Sequence, residues 1–144
     1  MPIKQHPGMG AVITCDFDMG EKTPEMVKNC PVVVICPSTA WQTGLCTVVG
    51  LSTFPPDKQR PYHCRLDLCP PLPAPWAAEM WVRGDLVATV RFDCLNLIQW
   101  PHEDGQNQQF RMNPLSANQI KVVRDCVLNS IGVSMTFPRQ SGHG

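Results

Sequence analysis

The sequence carries no net charge, since 12 acidic side chains balance 12 basic ones over 144 residues. With no global field to draw the surface onto nucleic acid or an anionic membrane, any such contact has to come from a local basic patch. Long apolar runs are also missing. The longest, Val32 to Cys36, falls far short of the roughly 18 residues that a membrane helix needs, and the opening Met1-Pro2-Ile3-Lys4-Gln5-His6 has no secretory apolar core. Both absences predict a cytoplasmic protein with no membrane contact. Among eight cysteines no pair shows the CxxC spacing that offers two thiolates to one zinc ion. The four histidines, His6, His63, His102 and His143, show no ligand spacing either, so no metal or other cofactor is expected. In a reducing compartment the cysteines read as mostly small buried thiols on strands. Gly8-Met9-Gly10 lacks the later glycine and the helix of a phosphate-cradling loop and reads as a turn into a strand.

What is present is enough apolar residue, 43%, for one core. Ala11 to Phe17 is rich in strand formers, and the polar stretch Asp18 to Asn29 follows as a long loop. Pro31 opens Val32-Val33-Val34-Ile35-Cys36, a β-branched run suited to a central strand buried on both faces. Leu45 to Thr53 is a further strand, stopped by Pro55-Pro56, so its hydroxyl end lies at a sheet margin. In Pro61 to Leu68, Tyr62, Cys64 and Leu66 alternate with His63, Arg65 and Asp67. Pro70 to Trp76 is a stiff connector, and Met80-Trp81-Val82 and Leu86 to Asp93 read as two strands joined by a hairpin around Arg83-Gly84-Asp85. Asp104-Gly105 marks a turn before Phe110 and Met112.

One helix is expected. Ser116 can cap it, Gln119 completes a capping box, Ile120, Val123, Val127 and Ile131 share a face, and Gly132 ends it. Strands followed by a terminal helix, without β–α alternation, predict a mainly β (α+β) domain over residues 8–132, simplest as a small antiparallel barrel closed by the helix. Residues 133–144 read as a loose tail.

This order of blocks resembles the PemK/MazF toxins of bacterial toxin–antitoxin systems. Gly10 precedes the first strand, Pro24-Glu25-Met26-Val27-Lys28 occupies the polar loop, Pro31-Val32-Val33-Val34-Ile35 is the valine strand, and Val48-Val49-Gly50-Leu51-Ser52-Thr53 is the strand ending in hydroxyls. The resemblance implies an SH3-like barrel that forms a homodimer, binds a cognate antitoxin and cleaves single-stranded RNA without a metal, with DNA bound through the antitoxin complex. The family's hydroxyl carries over to Ser52, with Thr53 beside it. Its arginine does not, because Cys30, preceded by Asn29, stands before the strand proline. A thiol is a weak, mostly neutral donor and does not reproduce a guanidinium fork. Lys28, two residues away, offers a point charge instead.

The nearest basic cluster is Lys58, Arg60, His63 and Arg65, with Tyr62 available to stack on a base, so these five are the expected RNA contacts. Of the histidines, only His63 is placed for proton transfer. Two readings stay open. One is an endoribonuclease toxin with Ser52, Thr53, Cys30 and Lys28 at its catalytic site, and the other is a degenerate relative that captures antitoxin or another target without cleaving RNA.

Overall fold

The computed structural model describes residues 3–16, 30–39, 43–68, 72, 76, 79–101, 107–110 and 114–133, except the side chains of 99–101 and 107–110. Six strands, β1 (Val12–Cys15), β2 (Cys30–Val34), β3 (Leu45–Ser52), β4 (His63–Asp67), β5 (Glu79–Arg91) and β6 (Leu95–Asn96), form one sheet in the order β4-β5-β3-β2-β1-β6. Every pairing in it is antiparallel. A second hairpin pairs β7 (Ile98–Pro101) with β8 (Asn107–Phe110), and α1 (Ala117–Ser130) follows. No helix among the described residues is long and apolar enough to cross a membrane.

The valine run lies inside the sheet as its pattern requires: Val32, Val33 and Val34 are all fully buried, and alternate residues feed two different cores. One core holds Val12, Val33, Val49, Leu51, Leu66, Met80 and Val82 beneath Val123 and Cys126 of α1. The other, on the opposite face, holds Ile13, Cys15, Cys30, Val32, Val34, Cys46, Val48, Cys94 and Leu95. At about 1.5–3 kcal/mol for each buried valine-sized side chain, these two layers dominate the stability of the fold.

The helix starts where the capping box sets it, with Gln119 N–H donating to Ser116 Oγ at 3.2 Å and Ser116 N–H donating to Gln119 Oε1 at 3.0 Å. Val123 and Cys126 form its buried stripe, whereas Ile131, expected on that face, is 68% exposed beside Gly132, whose φ is 91°. Gly10, with φ 90°, allows the close approach of the helix to β1, since a Cβ there would lie 2.8 Å from Ile120 Cδ1.

Two expectations are corrected by the sheet. The chain does not turn back at Arg83-Gly84-Asp85; β5 runs unbroken from Glu79 to Arg91, and its register with β3 shifts between Val49 and Gly50. Such a bulge admits extra residues and bends the strand without ending it. Gly84 sits at the bend, where a Cβ would lie 2.6 Å from the Cys126 backbone. The sheet is also open rather than closed into a barrel, as no pairing joins β4 to the two-residue β6 among the described residues. The expected loop Asp18 to Asn29 and the tail beyond residue 133 lie outside the described residues, as do most of Pro70 to Trp76 and the turn at Asp104-Gly105.

Candidate functional site

On the sheet face away from α1, the pairing registers assemble a polar patch. Ser52 pairs with Trp81, and Trp81 pairs in turn with Arg65, so hydroxyl, indole and guanidinium form one row across β3, β5 and β4. In the adjacent row Gly50 pairs with Arg83 and Arg83 with His63. Directly opposed residues on paired strands project to the same face. Continuing the register Val32↔Gly50 by two residues sets Cys30 beside Ser52, and the Cys30 thiol donates to the Leu51 carbonyl at 3.7 Å and to the Pro31 carbonyl at 3.4 Å.

Cys30 is 6% exposed, and burial pushes its thiol up, partly offset by the Leu51 backbone hydrogen bond. It is a neutral group turned into the thiol-rich core. Its pairing partner on β1, Cys15, is pushed up to about 12 by burial and then by Cys94 and Cys30 nearby. Lys28 lies outside the described residues.

Ser52 is partly exposed and is held locally, since Phe54 N–H donates to its Oγ at 3.1 Å and the hydroxyl reaches the Phe54 carbonyl at 3.3 Å. Thr53 is also partly exposed, and Phe54 beside them is 77% exposed. That unburied ring next to the strand-end hydroxyls can stack on a base, as can Trp81. Lys58 and Arg60 are exposed in the segment linking β3 to β4.

His63 is buried. Its Nδ1 accepts from Arg60 N–H at 3.1 Å, and its ring meets Tyr62 edge-on at 4.6 Å between centroids. Burial first, then the charges of Arg83 and Arg60, lower its pKa against the opposing pull of Asp85. The ring is therefore neutral near pH 7, with its basic nitrogen occupied and Nε2 carrying the proton, so it is better arranged to donate than to act as a base.

Arg83 makes a two-pronged pair with Asp85, Nε to Oδ1 at 3.1 Å and Nη2 to Oδ2 at 3.0 Å. Burial alone would raise the Asp85 carboxyl, but the Arg83 hydrogen bonds and charge bring it below its ordinary value. Arg65 pairs with Glu79 at 2.9 Å and with Asp67 at 3.7 Å, which reduces the positive potential of that row.

The registers bring the expected site residues Ser52, His63 and Arg65 onto one face, with Thr53 following Ser52, and add Arg83 and Trp81, which the sequence did not single out as site residues. The Arg83-Gly84-Asp85 triplet reads locally as a turn, and only the register with β3 shows that its arginine joins the patch. Among the described residues, His6, Cys36 and Cys46 bring donor atoms that could hold a metal ion together at the opposite end of β3.

The chain matches the family described as PemK-like, MazF-like toxin of type II toxin-antitoxin system over residues 9–95. No curated protein matches it. Among solved structures it is similar to an endoribonuclease in complex with its cognate antitoxin from a mycobacterial species, at 16% identity over 92% of this chain and 100% of that one, with a TM-score of 0.57. It is also similar to the Mycobacterium tuberculosis toxin MazF-mt6, at 13% identity, 86% and 98% coverage and TM-score 0.56. A third is MazF from Deinococcus radiodurans, at 17% identity, 91% and 100% coverage and TM-score 0.56. These likenesses show the fold. Together with the family match over residues 9–95, they establish that the chain belongs to the PemK-like, MazF-like toxins of type II toxin–antitoxin systems.

Proposed function

We propose that this toxin is an endoribonuclease that cuts single-stranded RNA in the cytoplasm without a metal ion and is restrained by a cognate antitoxin. The observation that carries the reading is the row Ser52–Trp81–Arg65 flanked by Arg83 and His63, which joins a hydroxyl, an aromatic surface and cationic donors on one sheet face. In such a site the ribose 2′-OH attacks the adjacent phosphorus, its proton passes to a base, and the leaving 5′ oxygen takes a proton as the cyclic phosphate forms. Arg83 is the arginine nearest in the sheet to Ser52 by register, one row away on the adjacent strand, and its fork can reach a phosphate if it exchanges Asp85 for substrate. Neutral His63 donates from Nε2. A homodimer supplies the wider groove that an antitoxin segment and an RNA strand need.

The burial of Cys30 favours a second reading. A neutral thiol where the family carries arginine removes one donor to the developing charge, about 3–4 kcal/mol of transition-state stabilisation, and leaves either a slow nuclease or a protein that only binds. Purified protein incubated with a long single-stranded RNA in the presence of chelator separates the two. Cleavage should be lowered by Ser52→Ala about 10²- to 10³-fold, with thermal stability lowered only slightly by the loss of the exposed Ser52–Phe54 hydrogen bonds. Arg83→Lys should lower it as well, since a point charge lacks the fork. Intact RNA with wild-type protein, alongside retained antitoxin binding, would establish the binding-only reading.

A further inference from the structure

We propose that His6, Cys36 and Cys46 form a zinc site that fastens the N-terminal segment to the sheet. The three side chains come from separate places. Continuing the Val34↔Val48 register sets Cys36 directly across from Cys46, with Ile35 N–H donating to Thr47 O at 3.0 Å between them. His6 arrives on the segment that Ile3 N–H ties to the Leu95 carbonyl at 2.9 Å, and its ring faces Phe92 edge-on with 6.4 Å between the ring centroids.

Their donor atoms already stand at metal spacing. His6 Nε2 is 3.5 Å from Cys36 Sγ and 3.9 Å from Cys46 Sγ, and all three atoms lie within 4.8 Å of one another. Tetrahedral zinc, with bonds of about 2.3 Å to sulfur and 2.0–2.1 Å to nitrogen, separates such ligands by about 3.6 Å for S···N and 3.8 Å for S···S. Two thiolates and a neutral imidazole cancel the charge of Zn²⁺, which suits a place where Cys46 is fully buried and the other two are half-buried. Sulfur and imidazole donors select zinc over magnesium or calcium. A water on the half-exposed side completes the coordination.

Binding releases one proton from each thiol to solvent as two Zn–S bonds form. The imidazole gives its Nε2 lone pair to the metal and carries its proton on Nδ1, so the exposed Gly8 N–H to Nδ1 hydrogen bond of 2.9 Å is given up. That is a small loss beside three metal–ligand bonds. Thr47 N–H, which donates to Cys36 Sγ at 3.2 Å, remains to orient the sulfur. The site is about 20 Å along β3 from Ser52 at the rise of an extended strand, so it does not depend on the nuclease reading.

The test uses the full chain, purified without a polyhistidine tag from zinc-supplemented cells, with metal measured per chain by mass spectrometry. Wild type should retain close to one zinc, and His6→Ala, Cys36→Ser and Cys46→Ser should each lower retention about tenfold or more, while Cys94→Ser keeps it. Cobalt added to zinc-free wild type should give thiolate-to-metal charge-transfer absorption, which decides the matter even where a cysteine variant fails to fold. His6→Ala leaves both strand cysteines in place. A wild-type chain that takes up neither zinc nor cobalt overturns the proposal, as does a Cys36–Cys46 disulfide in freshly purified protein, or metal retained by all three ligand variants. RNA cleavage plays no part in these readouts.

Discussion

The sheet face away from α1 has two halves that meet on β3. Toward β1 and β2 it is a dry layer of valines and thiols, with Cys15, Cys46, Val32, Val34 and Val48 fully buried. Toward β5 and β4 it carries Ser52, Trp81, Arg65 and Arg83 at a partly open surface. One strand serves both, since Cys46, Val48, Gly50 and Ser52 follow one another on the same side of β3. The comparison shows where chemistry with a charged polymer can take place. An ionic substrate needs donors that stay charged, and burial in the dry half holds Cys15, Cys30 and Cys46 neutral by raising their thiol pKa values. Cys30 lies on the dry side of that line, although its neighbour Ser52 lies on the open side.

The largest expected effect comes from moving the line. Cys30→Arg restores the residue type that the family pattern carries, but it sets a permanently charged guanidinium at a position only 6% exposed. An unpaired buried charge costs several kcal/mol, so the variant should unfold at markedly lower denaturant or fail to accumulate as soluble protein. Should it melt like wild type and cut RNA faster, the open half extends to Cys30 and the division drawn here is misplaced.

Next in size is the bend in β5 that keeps the open half in register. A Cβ on Gly84 would meet the Cys126 backbone at 2.6 Å and the Tyr62 carbonyl at 2.8 Å, whereas one on Gly50 would meet the Leu86 side chain at 3.3 Å and the Leu86 carbonyl oxygen no nearer than an ordinary 3.8 Å. Backbone does not yield as a side chain does. Gly84→Ala should cost about 1–3 kcal/mol and Gly50→Ala less, as compared by urea unfolding. Equal losses would show that the junction of β5 with α1 is more pliant than its packing indicates.

That bend also marks what the sequence could not reveal. The valine strand, the strand ending at Ser52 and the Ser116–Gln119 cap were legible because each is written in neighbouring residues, and alternation placed Cys64 and Leu66 opposite His63, Arg65 and Asp67. Cys126, absent from the expected helical stripe, was hidden because a thiol carries little periodic signal. Arg83 joined the patch through strand pairing, and His6 met Cys36 and Cys46 through a chain reversal, so neither had a local signature. Closeness in space between separate segments was the missing information in both cases.

A smaller effect follows from pH. His63 has its pKa lowered from 6.5, so the unfolded chain binds the extra proton first. Its contribution to stability is complete above 6.5 and is lost as pH falls through that value toward the folded one. Asp85, lowered from 3.8, loses its contribution further down, as pH falls through its folded pKa. His63→Asn keeps an acceptor for Arg60 N–H and removes the titration, so its melting temperature should fall less than that of wild type between pH 7.5 and 5.5. Parallel curves would place His63 in water rather than in the buried position that the sheet gives it.

The smallest change in stability, and the finest cut between the two halves, is Arg65→Gln. Arg65 and Glu79 are 55% and 51% exposed, so their 2.9 Å ion pair is heavily screened by solvent. Exposed pairs of this kind contribute about 0–1 kcal/mol, and unfolding of the variant should be nearly indistinguishable from wild type. RNA affinity should respond differently. If Arg65 neutralises a phosphate beside Trp81, its loss weakens binding across sequences and reduces the dependence of log affinity on log salt by about one counterion. Binding measured over a range of salt concentrations with a catalytically silent Ser52→Ala background reads that slope directly. An unchanged slope would mean that Glu79 and Asp67 hold Arg65 too well for RNA to compete, and the cationic contribution of the patch would then rest on Arg83 together with Lys58 and Arg60.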